Sequence, residues 1–132
     1  MKIMVAYDII DPNQKILEIA SEYAEAFHAS VCIVSCLSVA DAVRSYWEEK
    51  AESVLSAAGK FIEAKGAACE TFSIFSAITP GECLLEFAAH NHVDQIIIGI
   101  RSKSKVQKIV FGSNAQYIIL KASCPVVSVP VS

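Results

Sequence analysis

No Cys-x-x-Cys pair occurs in the chain, and its five cysteines, Cys32, Cys36, Cys69, Cys83 and Cys124, are odd in number and scattered. This spacing excludes a disulfide framework and a structural zinc site, and leaves the thiols as small core hydrophobes. Glycine and proline are scarce, at five and four residues, and there is neither an internal repeat nor a low-complexity linker. Nothing divides the 132 residues into two units, so residues 1–132 are expected to form one domain that buries a core without metals or cross-links. No apolar run reaches the length of a membrane span. The first strand begins almost at Met1, without a charged region, an apolar core or a cleavage site, so the sequence predicts a cytoplasmic protein with no membrane partner. Positive charge is not in excess either. A net charge of −3 and a pI near 5.6 argue against a nucleic-acid partner, which selects basic domains.

Apolar residues, by contrast, are plentiful: 54% of the chain, with a mean hydropathy of +0.45. That suits a parallel sheet buried on both faces, whose strands read as continuous apolar runs. Residues 2–7 read as a first strand ending at Asp8. Asp11-Pro12 gives an N-cap followed by proline at the first helical position, and Ile16, Ala20, Tyr23 and Phe27 form a stripe at helical spacing, so a helix is expected over about 12–28. Val31 to Leu37 is a second strand. Val43, Trp47, Val54, Ala58, Phe61 and Ile62 mark a long helix that stops at Lys65-Gly66. Cys69 to Phe75 is a third strand, and Thr79-Pro80-Gly81-Glu82 is a capping box opening a third helix. A fourth strand spans Gln95 to Ile98, a fourth helix Ser113 to about Lys121, and a last strand Val126 to Val129, between Pro125 and Pro130. Strict alternation of strand and helix implies parallel, right-handed βαβ units on one sheet, an α/β fold.

The stretch from Gly99 to Ser113 carries the chemistry. It holds Arg101, Lys103, Lys105 and Lys108, four of the eleven Lys and Arg, in what reads as a long strand-to-helix loop. Glycine allows close backbone approach, and a helix N-terminus offers unpaired N–H groups to an anion, so Gly99, Gly112, Ser113 and Asn114 are candidate phosphate contacts. Arg101 is the best placed of the cations to clamp phosphates. Asp8 either accepts hydrogen bonds from a ligand or caps the first helix, and Asp11 is better suited to the capping. Ser113 also reads as an ordinary helix cap. His90 and His92, two apart at a helix end, do not share a metal face and read as surface residues.

The spacing Gly99, two residues, Ser102, nine residues, Gly112-Ser113 resembles the Gly-x2-Gly-x9-Gly-Ser/Thr nucleotide signature of the universal stress protein family, with Ser102 where the second glycine belongs. The likeness extends from Ile3-Met4-Val5-Ala6-Tyr7-Asp8 to Cys124-Pro125-Val126-Val127-Ser128-Val129-Pro130. It implies an open five-stranded parallel sheet of order 3-2-1-4-5 with helices on both faces, adenine nucleotide alpha hydrolase-like and Rossmann-like. In such a sheet the ligand lies at the switch point beyond the first and fourth strands. It further implies an adenine nucleotide, ATP foremost, with room for magnesium beside the phosphates. Ala6, Cys36 and Ile98 match adenine-wall positions, and Ser102 offers a hydroxyl to phosphate at the cost of a Cβ. A homodimer through the last strand is implied as well. Ile9-Ile10 replaces the family's Gly-Ser after the aspartate. There is no Walker A Gly-Lys-Ser/Thr and no general base, nucleophile or acidic cluster near the loop, so a binding module is expected, with at most slow hydrolysis. The alternative is a dimeric interaction protein of the same fold that binds no nucleotide.

Overall fold

The computed structural model describes residues 1–38, 43–103, 108–110 and 112–131. In chain order the elements are β1 (Lys2–Ala6), α1 (Gln14–Phe27), β2 (Ser30–Leu37), α2 (Arg44–Ala64), β3 (Cys69–Phe75), α3 (Pro80–His90), β4 (Gln95–Lys103), β5 (Lys108–Val110), α4 (Ser113–Lys121) and β6 (Val126–Val131). Five strands run parallel in the order β3-β2-β1-β4-β6, the expected arrangement with β6 as its fifth member. An additional strand, β5, pairs antiparallel with the end of β4.

Side-chain alternation along the strands divides the core in two. Ile3 and Val5 of β1, Ile33 of β2 and Ile97 of β4 pack under α1 and α2, with Leu17, Ala20, Leu55 and Ile62. Met4, Val34, Ile96 and Ile98 face the other way, against Leu84 and Ala88 of α3 and Ile118 of α4. Both faces of the central strands are therefore sealed, which is why Ile96-Ile97-Ile98 is a continuous apolar run rather than an alternating one.

The helix boundaries show which local signals prevail. Asn13, not Asp11, caps α1: its Oδ1 accepts from the Lys15 N–H at 2.9 Å, so the helix starts two residues later than Asp11-Pro12 suggests. Asp11 is freed for another role. Thr79 caps α3 as expected, accepting from the Glu82 N–H at 3.3 Å, with Pro80 in the first turn. Beyond α2, Gly66 takes φ 102°, a left-handed conformation that a side chain would strain.

The largest correction concerns the expected loop after Ile98. β4 continues to Lys103 because β6 accompanies it as far as Arg101↔Val131, and β5 then takes over through Arg101↔Val110, Ser102↔Ile109 and Lys103↔Lys108. Arg101 is thus paired on both edges, so β5 lies on the β1 side of β4, in line with β1 beyond its carboxyl end. Gly99 sits inside the strand rather than ending it. A Cβ there would lie 2.6 Å from Ile16 Cδ1, so this glycine admits the α1 side chain that packs over β4. β6 is longer than expected too and contains Pro130, which is paired in register with Ile100.

Candidate functional site

A cavity of about 310 Å³ opens beyond the carboxyl ends of β1 and β2, on the face covered by α3 and α4. Ala6 and Asp8 follow from β1, Cys36 from β2, Pro80 and Leu84 from α3, and Asn114 from α4. Parallel strands joined by helices bring helix N-termini to this edge of the sheet, so the positive ends of the α3 and α4 dipoles meet here. They are also physically joined. The Gly81 N–H donates to Asn114 Oδ1 at 2.9 Å, and a Cβ at Gly81 would come within 3.3 Å of Asn114 and of Tyr117 Cβ. Glycine at 81 is what lets the two helix ends come so close.

Four of the ten candidate residues, Ala6, Asp8, Cys36 and Asn114, line this one cavity although they come from three distant parts of the chain. Ala6 and Leu84 supply apolar walls. The Asp8 Oδ1 accepts from the Ile10 N–H at 2.9 Å, so the carboxylate has a structural task in closing the β1–α1 turn while remaining exposed at the cavity. Burial, and then the neighbouring Cys83 thiol, push the Cys36 thiol well above the ordinary cysteine range. It stays protonated at neutral pH, a small apolar wall and not a nucleophile. Burial likewise raises the Tyr7 phenol, which also lines the cavity.

The other candidates are placed differently. Ile98 is 3% exposed and packs in the core with Met4 and Cys36, beneath the cavity and not on its wall. Gly99 and Arg101 turn to the α1 face, where Arg101 is ion-paired with Asp11, the residue that Asn13 released from capping. Ser102 is a strand residue paired with Ile109 and needs no left-handed backbone, so serine in place of glycine carries no conformational cost there; its side chain lies outside the described residues, as does Lys105. Gly112 is the N-cap of α4, at φ −64° with open space where a Cβ would be, and Ser113 is the first helical residue. Both are exposed at the helix end that carries Asn114. Among the described residues no β4 side chain lines the cavity, whose described walls come from β1 and β2 and the helices over them.

Sequence reasoning missed Tyr7, Ser35, Leu37, Pro80 and Leu84 as cavity walls. The capping box at Thr79 already put the α3 N-terminus at the carboxyl edge of the sheet, and Leu84 lies one turn further along the same helix side. Ile10 belongs to the Ile9-Ile10 pair that replaces the family's Gly-Ser.

The model of the Universal stress protein family matches residues 1–130. The chain is 27% identical over 139 aligned positions to universal stress protein MJ0531 of Methanocaldococcus jannaschii, covering 97% of this chain and 81% of that protein. Its fold superimposes on a universal stress protein from Archaeoglobus fulgidus with a TM-score of 0.85 at 30% identity, with 97% of each chain covered. It also superimposes on the Archaeoglobus fulgidus universal stress protein in complex with dAMP, with a TM-score of 0.79 at 27% identity, over 97% and 96% of the two chains.

Proposed function

Because the chain belongs to the universal stress protein family, we propose that it binds an adenine nucleotide, with ATP the expected ligand, in the cavity at the end of β1 and uses it as a signal or structural ligand. The observation that carries this reading is the convergence of Ala6, Asp8, Cys36 and Asn114 on one hollow where two helix N-termini meet. The dAMP complex of the Archaeoglobus relative supports the ligand class.

The cavity is at the small end of the range for ligand sites, about 300–1,000 Å³. A nucleoside fills it, with Ala6, Cys36 and Leu84 against the base and the Asp8 carboxylate accepting from base or ribose. Phosphates extend toward Gly112, Ser113 and Asn114, at a helix N-terminus that Gly112 does not cap with a side chain. Among the described residues no cluster of three or more His, Cys, Asp or Glu is placed to hold a metal, so magnesium would arrive on the phosphates, with Asp8 the one carboxylate at the cavity. No helix of the described residues is long and apolar enough to cross a membrane, and a cytoplasmic location belongs to the same reading.

A homodimer through β6 completes it. Among the described residues β6 pairs only with β4, and Leu120 and Ile119 of the preceding α4 are 77% and 39% exposed. The free edge is short, because the Ile96 N–H bonds to the Pro125 carbonyl and this register turns Val126, Ser128 and Pro130 outward. Proline offers no N–H, and its carbonyl already accepts from Lys15 Nζ at 2.9 Å.

The second reading, the same fold without a nucleotide, is favoured by Ile9-Ile10 standing where the family has Gly-Ser and by Arg101 turning to the α1 face, where it pairs with Asp11. Adenine released on denaturing freshly purified protein, read by its ultraviolet absorbance, separates the two. Release of adenine supports the first; none, together with no uptake on later incubation, supports the second.

A further inference from the structure

A second hollow lies not at the strand ends but along the outer edge of the sheet, a groove of about 570 Å³ between α2 and β3. Among the described residues β3 pairs only with β2, and the ends of that ladder fix which groups it uses: the Val31 N–H donates to the Ala68 carbonyl at 2.8 Å, and the Ser76 N–H to the Leu37 carbonyl at 3.0 Å. In a parallel ladder one set of alternate residues bonds to the neighbour and the other set faces away. Residues 68, 70, 72, 74 and 76 therefore turn to β2, and Cys69, Thr71, Ser73 and Phe75 hold their N–H and C=O groups outward. The same four residues send their side chains into the groove.

Among the described residues the edge carries few of the devices that guard open strands, its one charge being Glu70. It has seven residues, with no proline, no lysine and no bulge. The β6 edge, by comparison, is broken by Pro130. Across the groove, α2 presents a ridge of Arg44, Glu48, Glu52, Lys60 and Glu63. Arg44 is spent within it, bonding Glu48 at 2.8 Å and lying over the Phe75 ring at 5.2 Å. That leaves Glu52 and Glu63 against Lys60, an acidic excess of one charge. Gly59 lets the helix ride close to the strand, since a Cβ there would already be 3.1 Å from Thr71 Cγ2.

We propose that this edge docks an extended peptide segment of a partner protein, taken up as an added strand beside β3 with a basic side chain reaching into the acidic groove. Main-chain bonds to Thr71, Ser73 and Phe75 supply affinity independent of sequence, and every second side chain of the segment falls between β3 and α2, where Glu52 and Glu63 select Lys or Arg. The groove shares no described lining residue with the β1 cavity, and docking there does not require nucleotide.

Selection of random dodecapeptides displayed on phage against the immobilised full chain tests this, with Ser73→Pro as the counter-target. That substitution removes one outward N–H and leaves the β2 ladder whole, which thermal unfolding verifies. Enriched peptides should alternate apolar and polar residues, carry Lys or Arg, bind Ser73→Pro at least ten-fold more weakly, and slow amide exchange at Thr71, Ser73 and Phe75. Glu52→Lys, on the exposed helix, should weaken the same peptides about ten-fold and serves if Ser73→Pro does not fold. No enrichment over the variant target, acidic winners, or protection elsewhere would overturn the assignment. So would a concentration-dependent dimer lost in Ser73→Pro, which would make the occupant a second copy of this chain.

Discussion

The Gly81 N–H and Asn114 Oδ1, 33 residues apart in the chain, meet at 2.9 Å and hold the N-termini of α3 and α4 together at the mouth of the β1 cavity. Asn114→Asp keeps an acceptor for Gly81 and places a negative charge where phosphates are expected. Thermal stability should change by less than about 1 kcal/mol, since acidic residues suit a first helical turn. Affinity should fall about ten-fold or more for ATP and much less for adenosine, which calorimetric titration reads directly. Equal losses for both ligands would place the phosphates elsewhere.

Arg101→Ala should leave nucleotide affinity within about two-fold. Its guanidinium is paired with Asp11 on the α1 face, and both side chains are about half exposed, at 57% and 52%. Such pairs contribute under about 1 kcal/mol, so the melting temperature should barely move, and less still at high salt. A large loss of ATP affinity would show that Arg101 leaves Asp11 for the ligand.

Much of this was legible from local pattern. Cys69–Phe75 and Ser113–Lys121 are bounded by turn and cap residues and form where the sequence puts them, and the apolar run Ile96–Ile98 marks where β4 begins though not where it ends. What was not legible depended on distant partners. Gly99 reads as the end of a strand until β6 is known to run beside it, and Asp11 reads as a cap until Asn13 is seen to bond Lys15 and Arg101 is seen across the sheet. The candidate site divides the same way. Ala6, Asp8 and Cys36 could be placed because strand ends converge by topology, whereas the faces of Gly99 and Arg101 follow from the extension of β4, which only pairing with β6 and β5 reveals.

If β6 joins two copies, Leu120 is the side chain that exposure singles out beside that edge. Leu120→Glu should shift the solution mass toward monomer without lowering the monomer's melting temperature by more than about 0.5 kcal/mol equivalent, as expected for a surface site. Light scattering of the unaltered protein at tens of micromolar should give a dimer; a monomer there would remove the interface.

The central claim is that the cavity at Ala6 holds an adenine nucleotide, and thermal unfolding of nucleotide-free protein against added ligand tests it most directly. Ligand at about a hundred times its dissociation constant adds about 2.7 kcal/mol to a native state that binds it, several degrees for a domain of this size. Ala6→Leu, which grows a side chain into the cavity from its floor, should fold and lose that gain. A shift with AMP, ADP or ATP in the unaltered chain and none in Ala6→Leu is the predicted result; no shift with any of the three at millimolar concentration, or the same shift in both proteins, would contradict it.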